Sequence, residues 1–294
     1  MRTRSLSSLA VIVVGLVPVL VGGPVFALLM LGLGVAAYRE YLVLTARAAG
    51  TDLSGAAATG AIVVALFALP ALLGAPQGLL LALAWGAVFV PLLLLMRGSR
   101  RPSGNSVTTW ALIVAGTLYL GLPVYAATAL RALSGPIDAT WLTRIADRLA
   151  IAWDSAPRGL TWVLVVVLST WIGDTAAYLV GSRIGRHKLV PRLSPHKTVE
   201  GALGGLAGSA AIAATAWTGL GLGAWWLGAV VGLILGVVGQ LGDLAESFLK
   251  RQAGVKDSGT LIPGHGGVLD RIDALLFAFP AGYLLAAVLD GRGG

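Results

Sequence analysis

From Ser247 to Asp273 the chain reads SFLKRQAGVKDSGTLIPGHGGVLDRID, 27 residues holding four basic side chains, three carboxylates and a Pro-Gly-His-Gly-Gly turn. An apolar run, Ala224 to Leu244, precedes this segment, and a second, Gly267 to Leu289, overlaps its end. Each run is close to the roughly 20 residues that cross a bilayer as a helix. The polar segment therefore reads as a loop at one membrane face, joining two spanning helices. Helix is the expected form because a backbone in hydrocarbon must pair its own N–H and C=O groups.

Working outward, the rest of the chain has the same character. It is 57% hydrophobic and only 12% charged over 294 residues, where a soluble domain carries about 25% charged residues. Seven further apolar runs lie near Leu6 to Val21, Pro24 to Leu44, Ala56 to Leu73, Gly78 to Met96, Val107 to Leu130, Leu160 to Gly181 and Gly201 to Leu220. The expected fold is an all-α, polytopic integral membrane protein of about nine transmembrane helices. Residues 1–130 would form helices one to five, residues 131–159 an external amphipathic loop, and residues 160–294 a catalytic region of helices six to nine. The first run follows Arg2 and Arg4 and could be read as a signal peptide. Gly22-Gly23-Pro24 leads straight into another apolar run, as in a tight hairpin, so a retained helix is expected.

The basic residues support this topology. With a cytoplasmic N-terminus, fourteen Lys and Arg fall on the cytoplasmic side, while five, Arg131, Arg144, Arg148, Arg158 and Arg292, fall outside. That bias orients membrane proteins. It places the 247–273 loop in the cytoplasm and the C-terminus outside. It also accounts for the net charge of +8 without nucleic acid, because the basic residues sit in short loops between apolar runs. The chain has no cysteine, so a metal would be left to oxygen ligands or histidine. Trp141 and Trp153 in the external loop suit interfacial anchoring. Glycines at spacing four, Gly201 with Gly205, Gly204 with Gly208, and Gly228, Gly232 and Gly236, suit close helix packing within the chain.

Ionisable residues inside apolar runs need a reason, since each costs at least about 2.5 kcal/mol at membrane depth. Arg39 reads as a snorkelling interfacial side chain. Glu40 is open between solvation at a helix end and support of a polar cavity. Asp174, within the sixth run, needs a partner from another helix or a bound cation, which points to function. Gln240, Asp243 and Glu246 recur at spacing three, as do Asp270 and Asp273, so two helix ends present carboxylates toward the cytoplasmic side. Mg²⁺ takes oxygen ligands, commonly one or two carboxylates with substrate phosphates. The Pro263 to Gly267 turn lets backbone N–H groups approach an anion at the start of the ninth helix. Carboxylates for a metal beside amides for a phosphate suggest a metal-bound phosphate ester. A second basic segment, Gly185 to Gly201, places Ser194 and Thr198 around a helix start, with Lys197 suited to phosphate. Walker A, Rossmann and HExxH patterns are absent from the sequence.

Ser247, Lys250-Arg251, Lys256-Asp257, Gly259, Ile262-Pro263, His265-Gly266-Gly267, Asp270-Arg271 and Asp273 resemble, in order and spacing, the motif of the phosphatidate cytidylyltransferase family. Gly173-Asp174-Thr175, Ala177-Tyr178, Gly185, Ser194-Pro195, Lys197-Thr198, Glu200-Gly201, Gly242-Asp243 and Glu246 look like the conserved block before it. The resemblance is firm over about Thr170 to Asp273 and weak upstream. It departs at His196, where relatives usually carry a basic residue, and at Val199, which replaces a usual aromatic.

The resemblance implies a cell-membrane transferase of phospholipid biosynthesis, whose partners are CTP, phosphatidic acid and membrane lipid, and whose products are CDP-diacylglycerol and pyrophosphate. It implies Mg²⁺, with a second, monovalent cation left open, and a homodimer by family analogy. On this reading Asp243, Asp270 and Asp273, with Asp174, hold the metal. Lys197, Lys250, Arg251, Lys256 and Arg271 meet phosphates, and Thr198, His265, Gly266 and Gly267 complete the nucleotide site. The catalytic set is Asp243, Asp270, Asp273, Lys197 and Arg271. A phosphate monoester is already ionised near neutral pH, so His265 and His196 are expected to bind phosphates rather than abstract a proton. Two alternatives use similar residues: a membrane lipid kinase, which would release a nucleoside diphosphate, and a transporter, which would be expected to show internal repeats and midplane polar groups.

Overall fold

The structure, a computed structural model, describes residues 15–53, 57–72, 77–98, 106–135, 137, 139, 141, 144, 157–261 and 266–291. The described chain is helical, with one short hairpin. In order it forms α1 (Gly23–Ala49), α2 (Ala57–Leu66), α3 (Leu69–Leu72), α4 (Gln77–Gly98), α5 (Ser106–Arg131) and α6 (Pro157–Ile184), then β1 (Lys188–Val190) and β2 (Ser194–Thr198), then α7 (Val199–Gly219), α8 (Trp225–Gln252) and α9 (Leu269–Leu289).

Six of these helices, α1 and α5 to α9, are long and apolar enough to cross a membrane among the described residues. The expected count of nine differs at three runs. The first lies outside the described residues apart from a helical end at residues 15–21. The third is not one helix. Phe67 and Ala68 close tight turns onto the carbonyls of Val64 and Ala65 at 3.2 Å, and Pro70, which has no N–H to give, sits in the first turn of the restarted helix α3. The fourth corresponds to α4, which carries Pro91 within it. Of the external loop, residues 136, 138, 140, 142, 143 and 145–156, and with them Trp153, lie outside the described residues.

The chain divides into two compact units. One comprises Met1–Pro18, Pro24–Thr128 and Phe248–Ile272; the other comprises Val19–Gly23, Ala129–Ser247 and Asp273–Gly294. In the first unit the rings of α1 fill space that glycines leave open. A Cβ at Gly60 would collide with the Tyr38 ring, and one at Gly116 with the Tyr41 ring. Both tyrosines are buried, and the Tyr41 hydroxyl donates to the Leu112 carbonyl at 3.2 Å.

In the second unit α7 is the central element. Its Gly204 and Gly208 lie against Val180 and Ala176 of α6, and Gly228 and Gly232 of α8 lie against Trp217 and Ala213 of α7. Both glycine stripes thus face neighbouring helices of the same chain. Polar ties add to the fit: Ser209 Oγ donates to the Ser169 carbonyl at 2.8 Å, and Gln240 Nε2 donates to the Ala202 carbonyl at 3.0 Å. Trp162 and Trp217 meet edge to face, with centroids 5.0 Å apart. At the N-terminal end of α6, Arg158 and Asp290 form an ion pair, and Trp141 Nε1 donates to the Gly219 carbonyl at 2.7 Å.

Candidate functional site

The helix α8 has 28 residues, roughly 42 Å at 1.5 Å per residue, which exceeds the hydrocarbon thickness of about 30 Å. Its last turns carry Asp243 and Glu246, one turn apart. In the second unit these meet Asp273 of α9, and ligand oxygens of the three carboxylates lie within 4.8 Å of one another. Gly242 makes this approach feasible. A Cβ there would sit 2.5 Å from the Asp273 carbonyl oxygen and 3.2 Å from Ala274 Cα, so the two helix backbones nearly touch. Glu246 is fully buried, whereas Asp243 retains about a third of its side-chain exposure.

Three carboxylates this close repel one another, and the site supplies a partial answer. Lys197 Nζ stands 2.6 Å from Asp243 Oδ2. Lys197 is delivered by the hairpin, in which Lys188 pairs with Thr198 and Val190 with Ser194. The next residue, Thr198, is the N-cap of α7, its side chain accepting the Gly201 N–H. Glu200 secures the other strand: its carboxylate accepts the Arg186 N–H at 3.0 Å and lies 2.6 Å from His187 Nδ1. With one ammonium against three carboxylates, the donor set is all oxygen and net negative, which fits a hard divalent cation.

Asp174 lies on α6 in a small pocket whose polar lining includes Thr170, Ser209 and Gln240. Its side chain is exposed at the helix surface rather than enclosed. Asp243 and Lys197 are its electrostatic neighbours, so the partner sought for this intramembrane carboxylate comes from β2, with Asp243 facing it as a like charge.

The loop of the first unit is built around a second pair of carboxylates. Asp270 Oδ1 pairs with Lys250 Nζ at 2.7 Å. Its Oδ2 accepts from Ser258 N at 2.9 Å and Gly267 N at 2.8 Å, and Ser258 Oγ lies 2.9 Å from it. Glu40 of α1 accepts from Ser258 Oγ at 3.0 Å, Val268 N at 3.0 Å and Leu269 N at 2.8 Å. Gly266 takes a positive φ of 86°, where a Cβ would also meet Asp270 Oδ2 at 2.8 Å. Glycine is therefore required there twice over.

The structure thus sorts the residues singled out from sequence. Asp243 and Asp273 come together, with Lys197 beside Asp243 and Asp174 in electrostatic reach of both Asp243 and Lys197. Lys250 is enclosed against Asp270, and the Gly267 amide is committed to the same carboxylate. Thr198 caps a helix. Arg251 donates to the Val255 carbonyl at 3.1 Å and is exposed, as are Lys256 and Arg271. His265 lies outside the described residues. Sequence reasoning left two carboxylates out of its metal and phosphate sets. Glu246 could have been included on its spacing from Asp243, and Glu40 has no sequence signal beyond its place at the end of an apolar run.

Comparison with known proteins gives a consistent result. The model of the Cytidylyltransferase family matches residues 2–289. Proteins named phosphatidate cytidylyltransferase from Staphylococcus saprophyticus and Synechocystis sp. are 45% and 44% identical over 129 and 144 residues. These stretches are 44% and 46% of this chain, and 50% and 46% of the relatives. A protein of the same name from Staphylococcus haemolyticus is 48% identical over 124 residues, 42% of this chain and 47% of the relative. The chain spans about half the length of the curated relatives it matches.

Proposed function

We propose that this chain, which belongs to the Cytidylyltransferase family, transfers the cytidylyl group of CTP to phosphatidic acid. The observation that carries the reading is the convergence of Asp243, Glu246 and Asp273 within 4.8 Å, with Lys197 against Asp243, at the polar ends of two apolar helices. That is a site for a metal-bound phosphate chain at a membrane surface, where a lipid headgroup can reach it.

In the proposed reaction an oxygen of the lipid phosphate attacks the α-phosphorus of CTP in line. A new P–O bond forms, and the bond from the α-phosphorus to the oxygen bridging the β-phosphorus breaks. The bonding pair leaves with pyrophosphate. No general base is needed, because the nucleophile is already an anion near pH 7. Mg²⁺, when bound, supplies positive charge to the triphosphate and to the departing pyrophosphate. Asp243, Glu246 and Asp273 would hold it. Lys197, adjoining the cluster, would lower the repulsion between two polyanions; Lys256, Arg251 and Arg271 are exposed cations of the first unit that would meet phosphates. Asp174 would act at the edge of the same centre, through Asp243 and Lys197. Asp270 and Lys250 would organise the loop that carries Lys256. The orientation that fits the charge bias places this site in the cytoplasm.

The test is transfer of label from CTP into lipid by purified protein in detergent containing phosphatidic acid, with and without Mg²⁺, while pyrophosphate is followed. Equimolar CDP-lipid and pyrophosphate, both dependent on Mg²⁺, are expected. Release of a nucleoside diphosphate with a phosphorylated lipid alcohol would replace this reading with that of a kinase.

A further inference from the structure

The first N–H groups of a helix have no partner within it, and a side chain next to the helix start usually caps them. The helix α9 opens after Gly266-Gly267-Val268, a sequence that offers no Ser, Thr, Asn or Asp at the cap position. The role falls to Glu40, 228 and 229 positions upstream: Oε1 accepts the Val268 N–H and Oε2 the Leu269 N–H. Oε2 also accepts from Ser258 Oγ, which is 2.9 Å from Asp270 Oδ2. One carboxylate on α1 therefore ties together the end of the 253–268 loop and the first turn of α9.

Two glycines are shaped to this carboxylate. A Cβ at Gly259 would sit 2.5 Å from Glu40 Oε1, 2.9 Å from Cδ and 3.2 Å from Cγ, and its three nearest atoms all belong to Glu40. A Cβ at Gly267 would lie 2.5 Å from Glu40 Oε2 and would also strike Ser258 Oγ. Neither glycine has a positive φ, so what each provides is room. Bonds from N–H groups to an ionised acceptor at a helix N-terminus are the strong kind, reinforced by the helix dipole.

We propose that Glu40 is a positioning residue of the cytidylyl-transfer centre. It fixes the origin of α9, the helix on which Asp273 stands one turn beyond the amides that Glu40 holds. This rests on the proposed transfer reaction. It assigns to the N-terminal part of the chain, where the family motif is not found, a direct hold on the motif itself.

The test uses the full-length protein in detergent with Glu40→Ala, the isosteric Glu40→Gln, Gly259→Ala and the double variant Glu40→Ala with Gly259→Ala. Hydrogen exchange read by mass spectrometry should show the amides of Val268 and Leu269 exchanging at least tenfold faster in Glu40→Gln and Glu40→Ala, with α6 and α7 unchanged. At saturating CTP and lipid, kcat should fall at least tenfold in both variants while KM for CTP moves less than threefold. Gly259→Ala alone should cause a comparable loss of kcat and protection, because its methyl displaces the carboxylate. In the Glu40→Ala background it should add nothing. Unchanged exchange at the start of α9 in Glu40→Gln would overturn the proposal, as would additive effects of Glu40→Ala and Gly259→Ala. Exchange does not depend on turnover. A wild-type protein that made no CDP-lipid would thus defeat the reaction assignment, while the exchange data would still decide whether Glu40 holds α9.

Discussion

Glu246→Gln is expected to move stability and metal response in opposite directions. Glu246 is fully buried and shares with Asp243 and Asp273 a cluster whose ligand oxygens lie within 4.8 Å of one another. At that separation and an effective dielectric constant of about 20, a pair of like charges repels by about 3.5 kcal/mol. Lys197 and solvent weaken this for Asp243, and a buried carboxylate can also shed it by taking up a proton, so roughly 3 kcal/mol is the ceiling on what the glutamine relieves. The glutamine keeps the shape and removes the charge. In EDTA the variant should therefore be more stable than wild type by up to that amount, read as a higher midpoint of denaturant unfolding in detergent. Mg²⁺ should then stabilise wild type and scarcely stabilise the variant. The Mg²⁺ concentration giving half-maximal CDP-lipid synthesis should rise by about 100-fold or more, at or beyond the upper end of what loss of a supporting residue around a metal costs. A variant less stable in EDTA, with an unchanged Mg²⁺ midpoint, would refute the reasoning. It would mean that Glu246 serves as a hydrogen-bonding member of the helix interface.

Three further outcomes are expected. Gly232→Leu puts a side chain where even a Cβ would lie 2.5 Å from Ala213 Cβ and 2.9 Å from Ala210 Cα; it should destabilise the protein by about 1–3 kcal/mol, equally in EDTA and Mg²⁺, with no change in the Mg²⁺ midpoint. Arg271→Ala removes an exposed cation and should raise KM for CTP about tenfold, on the order of the 1.4 kcal/mol that separates decades of affinity, without altering the unfolding midpoint. The chain contains no cysteine, so single cysteines can report topology without background. Lys256→Cys should react with an impermeant maleimide only from the cytoplasmic face, and Trp141→Cys only from the outside.

The helical, membrane-spanning character was legible because it is written in composition and run length, which do not depend on tertiary contacts. Helix continuity was less so. The run from Ala56 to Leu73 has Thr59 as its one polar side chain, yet it breaks at Phe67 and Ala68, and the one local signal is Pro70. The hairpin that brings Lys197 to Asp243 was hidden for another reason. Its strands are three and five residues long, too short for a period-two pattern to stand out among Pro, His and Lys. The small-residue stripes of α7 and α8 were legible as contact surfaces. Their partners on α6 and α7 were not, because a glycine marks a close approach without saying what approaches.

The carboxylates show where reading by spacing stops. Asp270 and Asp273 are three residues apart on one helix, as are Asp243 and Glu246, and spacing treats the members of each pair alike. Depth along the helix separates the first pair. Asp270 stands in the opening turn, within reach of the N–H groups of Ser258 and Gly267 and of Lys250. Asp273, one turn further in, meets the acids of α8. A helix N-terminus preceded by glycines favours an anion, and the sequence offers phosphate as that anion. In the fold the amides of Gly267, Val268 and Leu269 are taken by Asp270 and Glu40. Two carboxylates of the protein thus neutralise the positive end of α9. On the proposed reaction, the charge that meets a triphosphate would then come from basic side chains such as Lys197 rather than from these amides. In that reaction a side chain could follow the charge as it moves onto pyrophosphate, which amides fixed in a helix turn could not do.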